Sequence, residues 1–467
     1  MRKSKKLLAL LLGMSMIATC FSACGSGGGE ATPSATATAA DNSQNNDGDV
    51  VIDLNNMDDF VKAAGCTVPE KVADNADAQQ VDLTVWGPTE EQTILTELCQ
   101  KFDDSHPEFK INFTIAAVSE DKAASTVAND PQNSADVFMF AGDQLGTLVD
   151  ASYISPINDS IASQVKEEQI DTAYNACVRN DKLYAIPFTA NLWYLFYNKS
   201  LLTADEVKSL DTIMAKDLGT TSSGDKIYNF GIDIGNGWYI ASFFSAGGCT
   251  LYGADGSDPT SCDWAEEKGI AVVDYISSLV KTGNMYKDAN ADSIGKLEDG
   301  TLASFVTGSW NANAIKKRLG DNYAAAVAPT IKIGDNEPAN LMPFADYKMI
   351  GINTLCENQK AAQMLAQFLA QPYAQVVRIN AREIQPTCKQ LIGNPALDFA
   401  TSYPAVQASL DQLQYTVARP STTQIVNFWT PAGALGGCIY NQKEDVLNAD
   451  RATYIQEKIV NKIIKTE

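Results

Sequence analysis

Short alternating or continuous apolar runs, separated by helical spacings, set the first part of the chain. Val81-Asp82-Leu83-Thr84-Val85-Trp86 alternates with period two and predicts a strand. Glu90-Glu91-Gln92 opens a helix whose Ile94, Leu95, Leu98 and Phe102 recur at helical spacing, with two carboxylates in the first turn where the helix dipole favours them. His106-Pro107 stops that helix, Phe109 to Phe113 predicts a second strand, and a helical stretch runs through Ala124 to Ala128. Ala135 to Phe140 predicts a third strand, closed by Ala141-Gly142-Asp143. Strand and helix alternating with short connections make an α/β unit with a largely parallel sheet.

The stretch from Ala185 to Leu202, AIPFTANLWYLFYNKSLL, organises the rest of the chain. Leu183 to Ile186 is apolar and runs into Pro187, which cannot donate to a central ladder, so the chain is expected to leave its sheet there. It crosses Phe188-Thr189-Ala190-Asn191 and enters a second buried strand, Leu192 to Tyr197. Spacing alone leaves two readings open, a hinge between two lobes or one sheet with a kinked strand. Beyond it, strands are expected at Asn229–Asp233, Ala303–Val306, Ala324–Pro329 and Met349–Ile352, the last returning to the first unit. Helices are expected at Ala204–Met214, Ile240–Ala246, Trp264–Val280, from Ala312 and at Lys360–Leu369. The portion from Tyr403 to Lys465 reads as mostly helical, interrupted at Asn427-Phe428-Trp429 before the glycine-rich Gly433 to Gly437.

The N-terminus changes the picture of where the chain works. Met1 to Ala23 has a basic start, an apolar core and small residues, the pattern of a secretory signal. Phe21-Ser22-Ala23-Cys24 resembles a lipoprotein cleavage box, with Phe21 where Leu is usual, which makes Cys24 the expected lipidation site and anchors the protein to a membrane. Residues 24–50 read as a flexible tether of Gly, Ser, Ala, Thr, Asn and Asp, and 51–80 as an N-terminal extension with a short amphipathic helix near Asp58 to Ala64. The net charge of −22 argues against nucleic acid as a partner. The single histidine, His106, sits in what reads as an exposed turn, and no Cys or His spacing suggests a metal, so neither metal nor cofactor is expected. Eight cysteines remain after Cys24, an even number that permits disulfides in an exported chain without revealing their pairing.

Candidate chemistry lies in aromatic residues at element ends. Phe140 ends a strand with Asp143 three residues on; Trp238 and Tyr239 follow Gly-Asn-Gly; Trp310 follows Gly-Ser; Trp429 precedes Thr-Pro. Open α/β sheets bind ligands outside the carboxyl ends of their strands. A sugar ring offers an apolar C–H face and a hydroxyl rim, so it calls for flat aromatic platforms beside carboxylate or amide oxygens.

Together with Tyr197-Asn198-Lys199-Ser200-Leu201-Leu202 after the crossing, the ordered set Asp136 to Asp143, Phe305-Val306-Thr307-Gly308-Ser309-Trp310 and Phe428-Trp429 resembles bacterial extracellular solute-binding proteins, and within them the maltose/maltodextrin-binding branch. The resemblance implies an α/β, two-lobed, periplasmic-binding-protein-like fold of type II with hinge crossings, lobe 1 from 81–189 and 346–398 and lobe 2 from 192–345 and 399–467. It implies a monomeric, non-catalytic receptor that delivers a maltodextrin-like oligosaccharide to the permease subunits of an ABC transporter. Phe140, Asp143, Trp310, Trp429 and Trp238, with Tyr239, are the sugar contacts it implies. Gln144 stands where an arginine occurs in the branch, Asn191 where some members carry Glu, and Glu90 and Glu91 only loosely match an acidic and basic pair after the first strand. Two other readings remain: the same fold with a different oligosaccharide, or an extracellular glycosidase using acids such as Asp143 and Glu91 without a recognisable acid/base motif.

Overall fold

The computed structural model describes residues 54–465 apart from Asp74, Ala289, Asn290 and Ser421; the leader, Cys24 and the tether lie outside the described residues. Helix α1 (Leu54–Ala63) buries Met57 and Val61. The alternating run of apolar residues becomes β1 (Gln79–Gly87), followed by α2 (Gln92–Ser105), β2 (Phe109–Ala117), α3 (Ala123–Asn129) and β3 (Val137–Ala141). Ile94, Leu95, Leu98, Cys99 and Phe102 form the buried stripe of α2. β1 pairs in parallel with both β2 and β3, as the strand–helix–strand order requires.

The crossing resolves into two strands in two different sheets. β4 (Ile186–Asn191) belongs to the first sheet and β5 (Trp193–Asn198) to the second, so the chain passes between them at Leu192. The expectation that the chain leaves its sheet at Pro187 is therefore corrected. Leu183 sits instead in a two-residue ladder with Val178. The strand continues through Pro187 because, among the described residues, β4 pairs only with the return strand; the register skips Phe188 there, with Pro187 opposite Met349. An edge position with a bulge is where a strand tolerates a proline.

The second sheet adds β6 (Phe230–Ile232), β7 (Met285–Lys287), β8 (Ser304–Gly308) and β9 (Tyr323–Ala326), in the order β9-β5-β8-β6-β7. Helices α4 (Gly237–Ala246), α5 (Glu267–Lys281) and α6 (Ala312–Leu319) belong to this half of the chain. The return strand β10 runs from Phe344 to Ile352, starting well before the expected Met349, and lies antiparallel to β3 and β4. Then come α7 (Gln359–Ala370), α8 (Pro372–Arg382), α9 (Pro404–Gln412), the short strand β11 (Val417–Ala418) against the start of β10, and α10 (Trp429–Tyr440). The expected break falls at Phe428, between a 3-10 turn (Thr423–Asn427) and α10, and the glycine-rich stretch lies inside α10, which begins at Trp429 itself.

His106 is not an exposed turn residue: its ring stacks on Phe102 at 4.0 Å and its Nδ1 is 2.8 Å from the Phe102 carbonyl. The eight described cysteines carry free thiols. No helix among the described residues is long and apolar enough to cross a membrane.

Candidate functional site

Glycines build the aromatic side of the site. Helix α10 lies directly on the turn before α4: a Cβ on Gly436 would stand 1.8 Å from the Ile234 carbonyl oxygen, and one on Gly433 2.3 Å from that of Gly235. Only glycine permits that approach. It brings Trp429, first residue of α10, beside Trp238 near the start of α4, with ring centroids 6.2 Å apart. The Asn236 side chain accepts a 2.9 Å bond from the Trp238 N–H and fixes the start of α4. Phe344 lies 6.0 Å from Trp238 and 6.2 Å from Trp429. Behind them Phe428 and Trp264 are buried, and Trp264 stacks on Phe244 at 3.8 Å. Trp238 and Trp429 remain half-exposed.

Tyr239 packs on Trp193 at 5.6 Å, and burial pushes its hydroxyl well above its usual range against an opposing hydrogen bond with Thr307. Thr307 also accepts from the Asn311 side chain at 3.0 Å, which links this wall to Trp310. The Trp310 ring folds back over Gly308, where a Cβ would meet its Cζ3 at 2.0 Å. Gly308 is therefore what lets that indole lie at the end of β8.

The opposite side comes from the first sheet and is charged. Lys348 Nζ stands 5.4 Å from the Trp310 ring centroid and 3.0 Å from Glu120 Oε1, and both side chains of that ion pair are buried. Burial raises the Glu120 carboxyl against the pull of Lys348. Glu91 is fully buried and bonded to Arg378 Nε and Arg382 Nη1. Burial alone would raise its carboxyl, but the two guanidiniums overcome burial and hold it below the usual range. Arg382 reaches Glu90 at 3.2 Å, and the Arg378 guanidinium also lies 5.0 Å over the Phe188 ring. Further along, Arg419 Nε bonds Asp346 at 2.8 Å and its Nη2 donates to the Gly142 carbonyl at 3.2 Å. Beside that pair, burial and then the Asp346 charge push Asp143 up to about 6, with Arg419 opposing.

One strand gathers these groups. Phe344, Asp346 and Lys348 alternate along β10 and therefore share a face. Phe344 touches the tryptophan wall, Asp346 holds Arg419 near Asp143, and Lys348 meets Trp310 and Glu120. At about 3.3 Å per residue the three positions span roughly 13 Å. The sequence reading missed Asp346, Lys348, Glu120 and Arg419. The signal was present as an alternating Phe-x-Asp-x-Lys directly ahead of the apolar run, polar where a doubly covered strand is ordinarily apolar.

Of the residues expected at the site, Trp238, Tyr239 and Trp429 are brought together, Trp310 is joined to them through Thr307 and Asn311, and Asp143 lies by Asp346. Three expectations are corrected. Phe140 has no exposed surface: β3 is flanked by β1 and β10, and its ring packs on Phe138 at 5.9 Å and against Gly351. Gln144 is buried and spent on backbone, accepting from the Ala124 N–H at 2.7 Å and donating to the Glu120 carbonyl at 2.6 Å. Glu91 is consumed by its two arginines. Glu90 stays partly exposed beside Arg382, and Asn191 sits opposite Asp346 in the ladder. Among the described residues no group of three or more His, Cys, Asp or Glu side chains is placed to hold a metal ion.

The chain belongs to the bacterial extracellular solute-binding protein family, whose model matches residues 97–408. It is 23% identical over 399 residues to the galactooligosaccharide-binding protein of Bacillus subtilis, covering 82% of this chain and 90% of that one. A structure solved with acarbose superimposes with a TM-score of 0.74 at 30% identity, covering 82% of this chain and 99% of the other. The maltodextrin binding protein MalE1 from L. casei BL23, solved without ligand, gives 0.71 at 26% identity, covering 85% and 100%. The fold is thus the mixed α/β, two-lobed one expected, in a family of extracytoplasmic solute-binding proteins rather than enzymes.

Proposed function

We propose that the protein is the substrate-capturing subunit of an ABC sugar importer, binding maltodextrin-like oligosaccharides between its two sheets. The observation that carries this reading is the face of β10. One row of side chains lies between half-exposed tryptophans and a set of carboxylate, ammonium and guanidinium groups, the two surfaces a chain of sugar rings requires. In this reading Trp310, Trp238 and Trp429 stack on rings, while Asp143, Asp346, Lys348 and Glu120 fix hydroxyls. Lobe 1 (81–189 and 346–398) and lobe 2 (192–345 and 399–467) close about the crossing at Leu192, and the sugar selects the closed state because both sides touch it. Cys24 carries the lipid anchor, and the permease subunits receive the sugar.

Tryptophan fluorescence of the protein, titrated with maltose, maltotriose and longer maltodextrins beside galacto- and xylo-oligosaccharides, tests the reading. Saturation at micromolar maltodextrin supports it. Galacto-oligosaccharides are the second reading, favoured by the relative from Bacillus subtilis; saturation with those alone keeps the cleft and replaces the ligand. Mass spectrometry of the membrane-extracted protein tests the anchor, which an N-terminus other than lipidated Cys24 removes.

A further inference from the structure

Helix α1, in the extension ahead of the first strand, packs on α8. Met57 and Val61 are buried, and the Asn394 amide donates to the Ala64 carbonyl at 2.8 Å just beyond the helix. The Asn380 amide of α8 donates to the Met57 sulfur at 3.7 Å, while the Asn380 carbonyl oxygen accepts from the Tyr403 hydroxyl at 2.9 Å. Phe60 lays its ring against that of Tyr403 at 6.0 Å. Tyr403 in turn carries Lys316 Nζ 5.8 Å over its ring.

Lys316 stands on α6, in the half of the chain that forms the second sheet, and is ion-paired with Glu383 at the end of α8. Glu383 is buried, adopts the left-handed conformation with φ 53°, and accepts from the Tyr323 hydroxyl of β9 at 3.1 Å and from the Ala405 N–H at 3.2 Å. The end of α8 is therefore tied to α6 and β9 of the other half and to α9, and the same helix holds Glu91 and Glu90 through Arg378 and Arg382. Helix α1 touches a helix that serves both the charged side of the site and the junction of the sheets.

We infer that α1 is a brace that sets the relation between the two sheets, and that Phe60 is a positioning residue for the Lys316–Glu383 pair, acting through Tyr403. Phe60 restrains the Tyr403 ring, the ring steadies the Lys316 ammonium, and the ammonium holds Glu383 against the second sheet. Without Phe60 the binding-competent arrangement is less populated, and apparent affinity falls by that fraction. The consequence for affinity rests on the sugar-binding reading; the consequence for the junction does not.

The test is a double-mutant cycle on the full chain with Phe60→Ala and Lys316→Met, read two ways: maltotriose affinity by calorimetry, and hydrogen exchange at the Glu383 and Ala405 amides without sugar. Each single change is expected to weaken affinity about fivefold and to speed exchange at both amides. The double variant is expected to be no worse than the weaker single, because the two residues act in series. Phe60→Leu, which keeps an apolar side chain on Tyr403, serves if Phe60→Ala fails to fold and is expected to show a smaller change of the same sign. Multiplying effects, or a Phe60 variant that leaves both readouts unchanged, would overturn the brace. If wild-type protein binds none of the sugars, the proposed ligand class has failed, and the exchange cycle alone decides the brace by the same criterion.

Discussion

The two sides of the candidate site are built on opposite principles. The second-sheet side is a wall of tryptophans, half-exposed, held by backbone packing at Gly308, Gly433 and Gly436. The first-sheet side rests on a floor of buried ion pairs, Glu91 with Arg378 and Arg382. Exposed aromatic faces have stacking capacity to spare for a ligand. Buried, mutually satisfied charges do not, and their task is to hold α8 and the start of α2 in one arrangement. The wall is where affinity should reside, and the floor is where the geometry that presents it is fixed.

Changes on the two sides should therefore separate stability from affinity. Removing the Glu91 carboxylate leaves two guanidiniums buried beside one another, so Glu91→Ala is expected to cost about 3–5 kcal/mol of stability, measured as a fall in the urea midpoint. Sugar affinity per folded molecule should change much less; a variant of normal stability with abolished binding would place Glu91 in the ligand site and break the distinction. Trp310→Ala makes the converse case. It should weaken maltotriose binding at least about tenfold, roughly 1.5 kcal/mol or more for one stacking platform, with little shift in the midpoint. Unchanged affinity by calorimetry would reject its role as a platform.

Asp143 supplies the smallest and sharpest test. Its folded pKa of about 6 lies above the ordinary carboxylate value. As pH falls through 6 the buried carboxyl gains its proton, so this group adds stability on acidification and subtracts it as pH rises. A sugar hydroxyl bonded to the ionised carboxylate reverses the sign for binding, with affinity falling a few-fold from pH 7 to 5. Comparing wild type with Asp143→Asn isolates the group, since the variant should lose both slopes. Identical pH profiles for the two proteins would show that Asp143 neither titrates near 6 nor meets the sugar.

The wall was legible in the sequence and the floor was not, for a physical reason. Gly-Ser-Trp at 308–310 and Gly-Trp at 237–238 are local patterns, in which a small residue next to an aromatic at the end of an apolar run marks both the element and its tip. Glu91 was equally visible as a first-turn carboxylate, but its meaning depends on Arg378 and Arg382, far along the chain and brought near only by α8. Phe140 misled because a strand-end aromatic looks the same whether the strand is central or at an edge; β3 proved central. Pro187 misled in the opposite direction, since an edge strand tolerates a residue that a central one rejects. β10 was recognised only from Met349 because its first half carries Asp346 and Lys348, which break the apolar run by which a covered strand is recognised.

The most direct test of the proposed site is a crystal structure of the protein grown with maltotriose. The expected result is a glucose ring stacked on Trp310, the chain continuing toward Trp238 and Trp429, and hydroxyls within hydrogen-bond distance of Asp346 or Lys348. A sugar bound without touching the Phe344, Asp346 and Lys348 face, or stacked on none of the three tryptophans, would contradict it.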